Sequence, residues 1–134
     1  MKKGLTELVF ILDRSGSMSG LESDTIGGYN SLLEKQKKES GEAIITTVLF
    51  DDQYELIHDR TNLKGIKSIT EKEYYVRGTT ALLDAIGKTI NKIKNAQENI
   101  IEEERAENVM IVIITDGLEN ASCEYNYQKI RQMI

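Results

Sequence analysis

The sequence predicts a doubly wound α/β fold: a mostly parallel sheet with one antiparallel edge strand and helices on both faces. Two observations carry this. Short, continuous apolar runs ending in polar turns alternate with longer stretches whose apolar residues recur near every 3.6 positions. Two of the runs are also separated by too few residues for a crossover, which sets one strand antiparallel to its neighbour.

The first run, Leu8-Val9-Phe10-Ile11-Leu12, ends at Asp13 and is apolar on both faces, as a central parallel strand requires. Gly16, Ser19 and Gly20 mark a loop. From Leu21 to about Glu39 the apolar positions Leu21, Ile26, Tyr29, Leu32 and Leu33 suit an amphipathic helix, weakened locally by Gly27 and Gly28. A second β-branched run, Ile44 to Phe50, ends at Asp51-Asp52. Tyr54 to His58 alternates more and completes a hairpin with it. From Arg60 to Arg77 the chain reads as a mostly irregular connection pinned by Leu63, Ile66 and Ile69. Gly78-Thr79-Thr80 opens a long helix carried by Leu82, Leu83, Ile86, Ile90, Ile93, Ile100 and Ile101, with Gln97 the polar intruder. Val109 to Ile114 is the run that looks most buried, and it ends at Thr115-Asp116-Gly117. A last helix is expected from near Ser122 to the end.

The length of 134 residues fits a single domain over 1–134, large enough to bury a real core. Apolar residues are 40% and charged residues 29%, a soluble globular composition. The net charge of −5 argues against a nucleic-acid partner, which selects basic faces. The single cysteine, Cys123, excludes an intramolecular disulfide and suits a reducing compartment; it reads as a packing residue on a helix. Met1-Lys2-Lys3 and the run after it do not make a secretion signal, because that run is short and Glu7 interrupts its approach. Nothing approaches the roughly 20 apolar residues of a membrane span. The expected location is cytoplasmic, with no membrane partner.

In sheets of this class ligands bind beyond the carboxyl ends of the strands. The polar residues of interest gather there: Asp13-Arg14-Ser15-Gly16-Ser17 after the first strand, Asp51-Asp52 after the second, Asp116 after the last, and Thr80 at a helix start. In the D-x-S-x-S string alternate side chains can turn toward one point, and Gly16 lets the backbone bend. Hard cations such as Mg²⁺ want oxygen ligands in an octahedron at roughly 2.0–2.1 Å. Asp13, Ser15, Ser17, Thr80 and Asp116 supply two carboxylates and three hydroxyls. Against a doubly charged ion they leave the site near neutral, so an outside carboxylate can complete the shell. Each feature taken alone has a plainer reading, as a turn or a helix N-cap.

Together they resemble the metal-ion-dependent adhesion site of von Willebrand factor A domains. The strand ending in Asp13-Arg14-Ser15-Gly16-Ser17 resembles its first element, Arg77-Gly78-Thr79-Thr80-Ala81-Leu82-Leu83-Asp84-Ala85-Ile86 its second, and Ile113-Ile114-Thr115-Asp116-Gly117 its third, in the family's order. The family's metal threonine precedes a small helix residue by five positions; Ala85 is that residue, so the match falls on Thr80 rather than Thr79. The resemblance runs from about Leu5 to the C-terminus. It implies a Rossmann-like fold with Mg²⁺ or Mn²⁺ at the top of the sheet, bound directly by the serines and threonine and directly or through water by the aspartates. It also implies a protein partner whose Glu or Asp supplies the last ligand. Within the family the chain looks closer to the small intracellular bacterial members, including those similar to tellurite-resistance-associated proteins, than to integrin or matrix domains. Family domains usually continue for one or two more strands and helices, whereas this sequence stops at Ile134 inside what reads as the next helix. The chain is therefore either truncated or a minimal member. If truncated, the strand carrying Asp116 becomes an apolar sheet edge, and a dimer through that edge is expected.

The remaining polar residues have lesser claims. Asp51 and Asp52 read as a hairpin turn that could tune the metal's waters, and Asp84 as a neighbour of that site or a solvated helix position. Arg14, at a variable place in the motif, is expected to be exposed at the rim, where it could meet an acidic partner. Glu119 and Asn120 are weaker rim candidates. His58 reads as an edge-strand surface or packing residue, Glu102-Glu103-Glu104 as a solvated helix end, and Tyr74 and Tyr75 as packing or rim residues. The functional expectation is a binding module without catalysis. Two alternatives stand beside it: a metal-dependent phosphotransferase or hydrolase using Asp13 as nucleophile, and a structural domain with a vestigial site. The enzyme lacks a phosphate loop and any nearby histidine base.

Overall fold

A computed structural model of the protein describes residues 2–39, 41–78 and 81–115, with the backbone alone at Lys2 and Ser17. Thr80, Asp116, Glu119, Asn120, Cys123 and the expected last helix lie outside the described residues. The elements run β1 (Lys2–Asp13), α1 (Glu22–Lys37), β2 (Glu42–Phe50), β3 (Tyr54–Asn62), α2 (Leu82–Glu98) and β4 (Ala106–Ile114). Single 3₁₀ turns occupy Gly16–Met18, Leu63–Gly65 and Glu102–Glu104. The strands form one sheet in the order β3-β2-β1-β4. β1 is parallel to β2 and β4, and only the β2–β3 hairpin is antiparallel. This is the α/β class that the alternation of runs predicts.

The period-2 alternation of β1 assigns its two faces. Leu8, Phe10 and Leu12 join Tyr29 and Leu33 of α1, together with Ile45, Leu49, Leu63, Ile66, Ile69 and Tyr74. Val9 and Ile11 join Phe50 and the α2 residues Leu82, Ala85, Ile86, Ile90 and Ile93. Burying each large aliphatic or aromatic side chain contributes roughly 1.5–3 kcal/mol, so the sandwiched β1 is the stability centre of the fold. Phe10 meets Tyr29 edge-on with ring centroids 4.9 Å apart, an arrangement that aromatic pairs prefer. Leu63, Ile66 and Ile69 pin the irregular connection to this core as expected.

Glu7 on β1 is fully buried and paired. β3 slips register opposite Thr46, and Arg60 there takes the left-handed φ of 48°. Its Nε then donates to Glu7 Oε1 at 2.8 Å, and the Gln97 amide donates to Glu7 Oε2. The polar intruder on α2 is thus one of the partners of a buried carboxylate.

Three expectations need correction. Val109 to Ile114 looks most buried by composition, yet among the described residues β4 is the outer strand, and Val109, Met110, Ile111 and Ile113 are 39–53% exposed. Ile100 and Ile101 do not extend α2, which ends at Glu98; Ile101 projects into solvent because the helical period has stopped. Leu21 and Leu32 are exposed rather than fully packed, Leu32 beside an open cleft that it lines with Leu8, Phe10, Met110 and Val112. Among the described residues no helix is long and apolar enough to cross a membrane.

Candidate metal centre at the sheet rim

Asp13 is the last residue of β1, paired across to Phe50, and its side chain is completely buried. Its neighbours hold it from both sides. Oδ1 accepts the Ser15 backbone N–H at 2.8 Å and the Ser15 hydroxyl at 2.6 Å. Oδ2 accepts the Thr115 hydroxyl at 2.8 Å, from the residue just past β4. The Tyr74 hydroxyl donates to the Asp13 carbonyl. Burial pushes the Tyr74 phenol up to about 12, with the hydrogen-bonded neighbourhood opposing this and the Asp13 charge adding to it. The acid therefore sits in a fixed cradle of donors. A carboxylate buried this deeply stays charged only where such donors or a cation compensate it.

The loop after β1 turns immediately. Ser15 is buried, and the Gly16–Met18 3₁₀ turn closes with the Met18 N–H on the Ser15 carbonyl at 2.9 Å. The segment before α2 is stitched onto this loop. The Arg77 N–H donates to the Arg14 carbonyl at 2.7 Å, the Gly16 N–H to the Gly78 carbonyl at 2.9 Å, and the Ala81 N–H to the Asp51 carbonyl at 2.8 Å. Gly78 has φ +57°, a left-handed conformation beside the Asp51 and Asp52 carboxylates that favours glycine. Thr115, tied to Asp13, directly precedes Asp116 in the sequence.

Of the five residues singled out for the metal, the structure brings Asp13 and Ser15 together, places the Ser17 backbone in the same turn, and leaves Thr80 and Asp116 outside its description. Of that donor set only Asp13 and Ser15 have described side chains, and among the described residues no group of three or more His, Cys, Asp or Glu gathers around one point. Adjacent corners of an octahedron with bonds of 2.0–2.1 Å lie about 3 Å apart. The Asp13 and Ser15 oxygens, at 2.6 Å, need open by only a few tenths of an ångström. Asp13 retains lone pairs beyond those engaged.

Asp51 takes its plain role as the hairpin turn and more. Oδ1 accepts the Gln53 N–H at 2.8 Å, and Oδ2 accepts Arg77 Nε at 2.7 Å. That bond is the first cause of a raised Arg77 pKa. Asp52 is exposed, and Asp84 in the first turn of α2 shares a shallow crevice with both aspartates. Arg14 departs from expectation. It is buried, not exposed, and its Nη2 donates to Glu55 Oε2 at 2.5 Å. His58 is on β3 away from the rim, its Nδ1 2.9 Å from the Thr47 hydroxyl and 3.3 Å from that of Tyr29. Tyr74, Thr115 and Arg77 are site residues that sequence reasoning missed as such. The signals on offer were the place of Arg77 and Thr115 inside the second and third motif elements and the reading of Tyr74 as a packing or rim residue.

No family model matches the chain, and no curated protein matches it. Solved structures do. The three N-terminal domains of the type V pili tip protein Mfa5 from Porphyromonas gingivalis match with a TM-score of 0.53 at 20% identity, over 85% of this chain and 20% of that one. Proximal thread matrix protein 1 from the mussel byssus matches with a TM-score of 0.59 at 17% identity, over 97% of this chain and 32% of that one. The chain therefore spans a third or less of either solved chain. At these identities the likeness is one of fold alone, an α/β fold with a mostly parallel sheet.

Proposed function

We propose that the protein is a divalent-metal-dependent protein-interaction module in which Asp13, Ser15, Ser17, Thr80 and Asp116 hold Mg²⁺ or Mn²⁺ and the ion takes a carboxylate of a partner. The observation that carries the reading is the buried Asp13 carboxylate, locked onto the Ser15 hydroxyl at 2.6 Å at the carboxyl end of the central strand. When bound, the ion supplies a double positive charge that accepts a partner's carboxylate oxygen. The chain's own residues aim and dehydrate that position: Tyr74 fixes the main chain of Asp13, and the Gly16–Gly78 bond draws the second loop against the first. Adhesion-site chemistry and a small bacterial type of domain belong to this proposal, as does a cytoplasmic location. The fold neighbours, a pilus tip protein and a thread matrix protein, bear names that suit binding rather than catalysis. The alternative, a nucleophilic Asp13, lacks a histidine base at the rim: the sequence's one histidine, His58, lies within β3 and bonds to Thr47.

Titration of Mg²⁺ and Mn²⁺ into chelator-treated protein tests the reading, with Asp13→Ala and Thr80→Ala alongside. Saturable one-to-one binding in the wild type, lost in both variants, supports it. No binding at millimolar metal, with or without added acetate, sinks it. The exposed apolar β4 edge makes self-association part of the proposal. Sedimentation should show a dimer that Ile111→Lys dissociates; a concentration-independent monomer removes that part.

A further inference from the structure

The geometry points to a second anion site at the same rim: the Arg14 guanidinium, on which Glu55 acts as a built-in placeholder that a partner's carboxylate displaces. The acidic nature of the occupant rests on the proposed function, whereas the site itself is built without a metal.

Arg14 directly follows Asp13 and is held rigidly through its backbone. Its N–H donates to the Phe50 carbonyl at 2.8 Å, and its carbonyl accepts the Arg77 N–H at 2.7 Å. No part of its side chain is exposed. Nη2 donates to Glu55, yet Nε and Nη1 find no acceptor among the described residues. A buried guanidinium ordinarily meets oxygen at every N–H, often by a bidentate fork onto a carboxylate. This one has a single bond to a single oxygen, and two of its nitrogens are left under-satisfied among the described residues.

The groups over it are exchangeable. Glu55 lies near the start of β3 with its side chain 47% exposed, so it can leave by rotation into water without opening the core. Tyr75 covers another side, its ring centroid 5.5 Å from the guanidinium carbon, and is itself exposed. A planar cation stacked on an aromatic face retains its in-plane donors for an incoming acid. Arg77 adds positive charge alongside: it is bonded to Arg14 through the main chain and lies within electrostatic reach of Glu55. Departure of Glu55 leaves the Arg14 guanidinium unpaired among the described residues, beside an Arg77 that Asp51 already engages. A partner presenting two acidic side chains would then place one on the ion and the other on Arg14, and a partner with one would bind more weakly.

An ion pair with one exposed member holds closed by a factor of about two to five. The apparent affinity of a competing carboxylate is reduced by the fraction of open sites, so removing Glu55 should raise it about three- to sixfold. The probe is acetate, added to chelator-treated protein at constant ionic strength and followed by the arginine Nε–H resonances in NMR. In Glu55→Ala the Arg14 resonance should shift saturably with a several-fold lower Kd than in the wild type. In Glu55→Ala/Arg14→Lys, whose fold is checked by amide dispersion, the saturable shifts that acetate causes at the backbone amides of Tyr75 and Arg77 in Glu55→Ala should vanish. Absence of a saturable shift in Glu55→Ala, or its persistence without Arg14, overturns the inference. Because no metal is present, failure here leaves the metal reading standing, and failure of the Mg²⁺ titration leaves the acetate result standing.

Discussion

Asp13→Asn separates what the Asp13 carboxylate does for the fold from what its charge does for the metal. Asn keeps an oxygen toward Ser15, where the backbone N–H at 2.8 Å and the hydroxyl at 2.6 Å still find an acceptor. Its NH₂ turns to the Thr115 hydroxyl, which can accept as well as donate. Three charge-assisted bonds become neutral ones, a loss of about 1 kcal/mol each. Against this, burying a carboxylate costs several kcal/mol that the amide does not incur. The two terms oppose each other, so the Asn variant should unfold in urea closer to the wild-type midpoint than the Ala variant does. Asp13→Ala shares the charge term but leaves the Ser15 N–H and two hydroxyls without their acceptor. The Ala variant should lie about 2–4 kcal/mol below the Asn variant. Metal binding should respond differently. Removing one negative charge about 4 Å from a doubly charged ion forfeits between about 2 kcal/mol in water and about 8 kcal/mol near a protein surface. The lower bound alone weakens Mg²⁺ binding about thirtyfold. Calorimetric titration beside urea unfolding measures both quantities. An Asn variant as unstable as the Ala variant, or one binding Mg²⁺ within threefold of wild type, refutes the reasoning.

Three other perturbations probe the same frame. In Gly78→Ala the new Cβ would fall 2.6 Å from Asp52 Oδ1 and 2.7 Å from Asp51 Oδ2, on a left-handed backbone. It should cost about 1–3 kcal/mol in thermal unfolding, while Gly65→Ala, which meets nothing within 4 Å, stays near neutral. The Tyr74 phenol, raised to about 12 by burial, makes stability full below the unfolded value of 10.0 and progressively lost as pH climbs from there through about 12. Tyr74→Phe should flatten that alkaline limb of the unfolding curve and cost about 1 kcal/mol for the lost bond to the Asp13 carbonyl. His58 runs the other way: burial lowers its pKa, so its contribution is intact above 6.5 and is lost as pH falls below that value toward the folded one. His58→Gln should remove the part of the acid-side slope that begins there, and an unchanged slope would show the titration lies elsewhere.

The element order was legible because each strand announces itself locally, β1 by an uninterrupted apolar run and β3 by a link too short for a crossover. The site was legible only as far as neighbours in sequence reach, as in Asp13 and Ser15. Tyr74 and Thr115 stand 61 and 102 residues from Asp13, and no periodicity connects residues that only topology brings together. Arg14 was misplaced for a related reason. Charge predicts exposure on average, but here the main chain is pinned to Phe50 and Arg77, which leaves the side chain little choice of direction. β4 shows the opposite error: residues apolar on both faces describe a strand that needs covering, and say nothing about where in the sheet it stands.

That outer position has a thermodynamic consequence. Thr115, whose hydroxyl holds Asp13 Oδ2, ends a strand with a sheet neighbour on one side only among the described residues. Opening β4 from its end would release the Thr115 hydroxyl from Asp13. Whatever pairs along its open edge would suppress that excursion and so raise the population of the ordered Asp13. By linkage, an ion at the rim must strengthen pairing at the edge by the same factor.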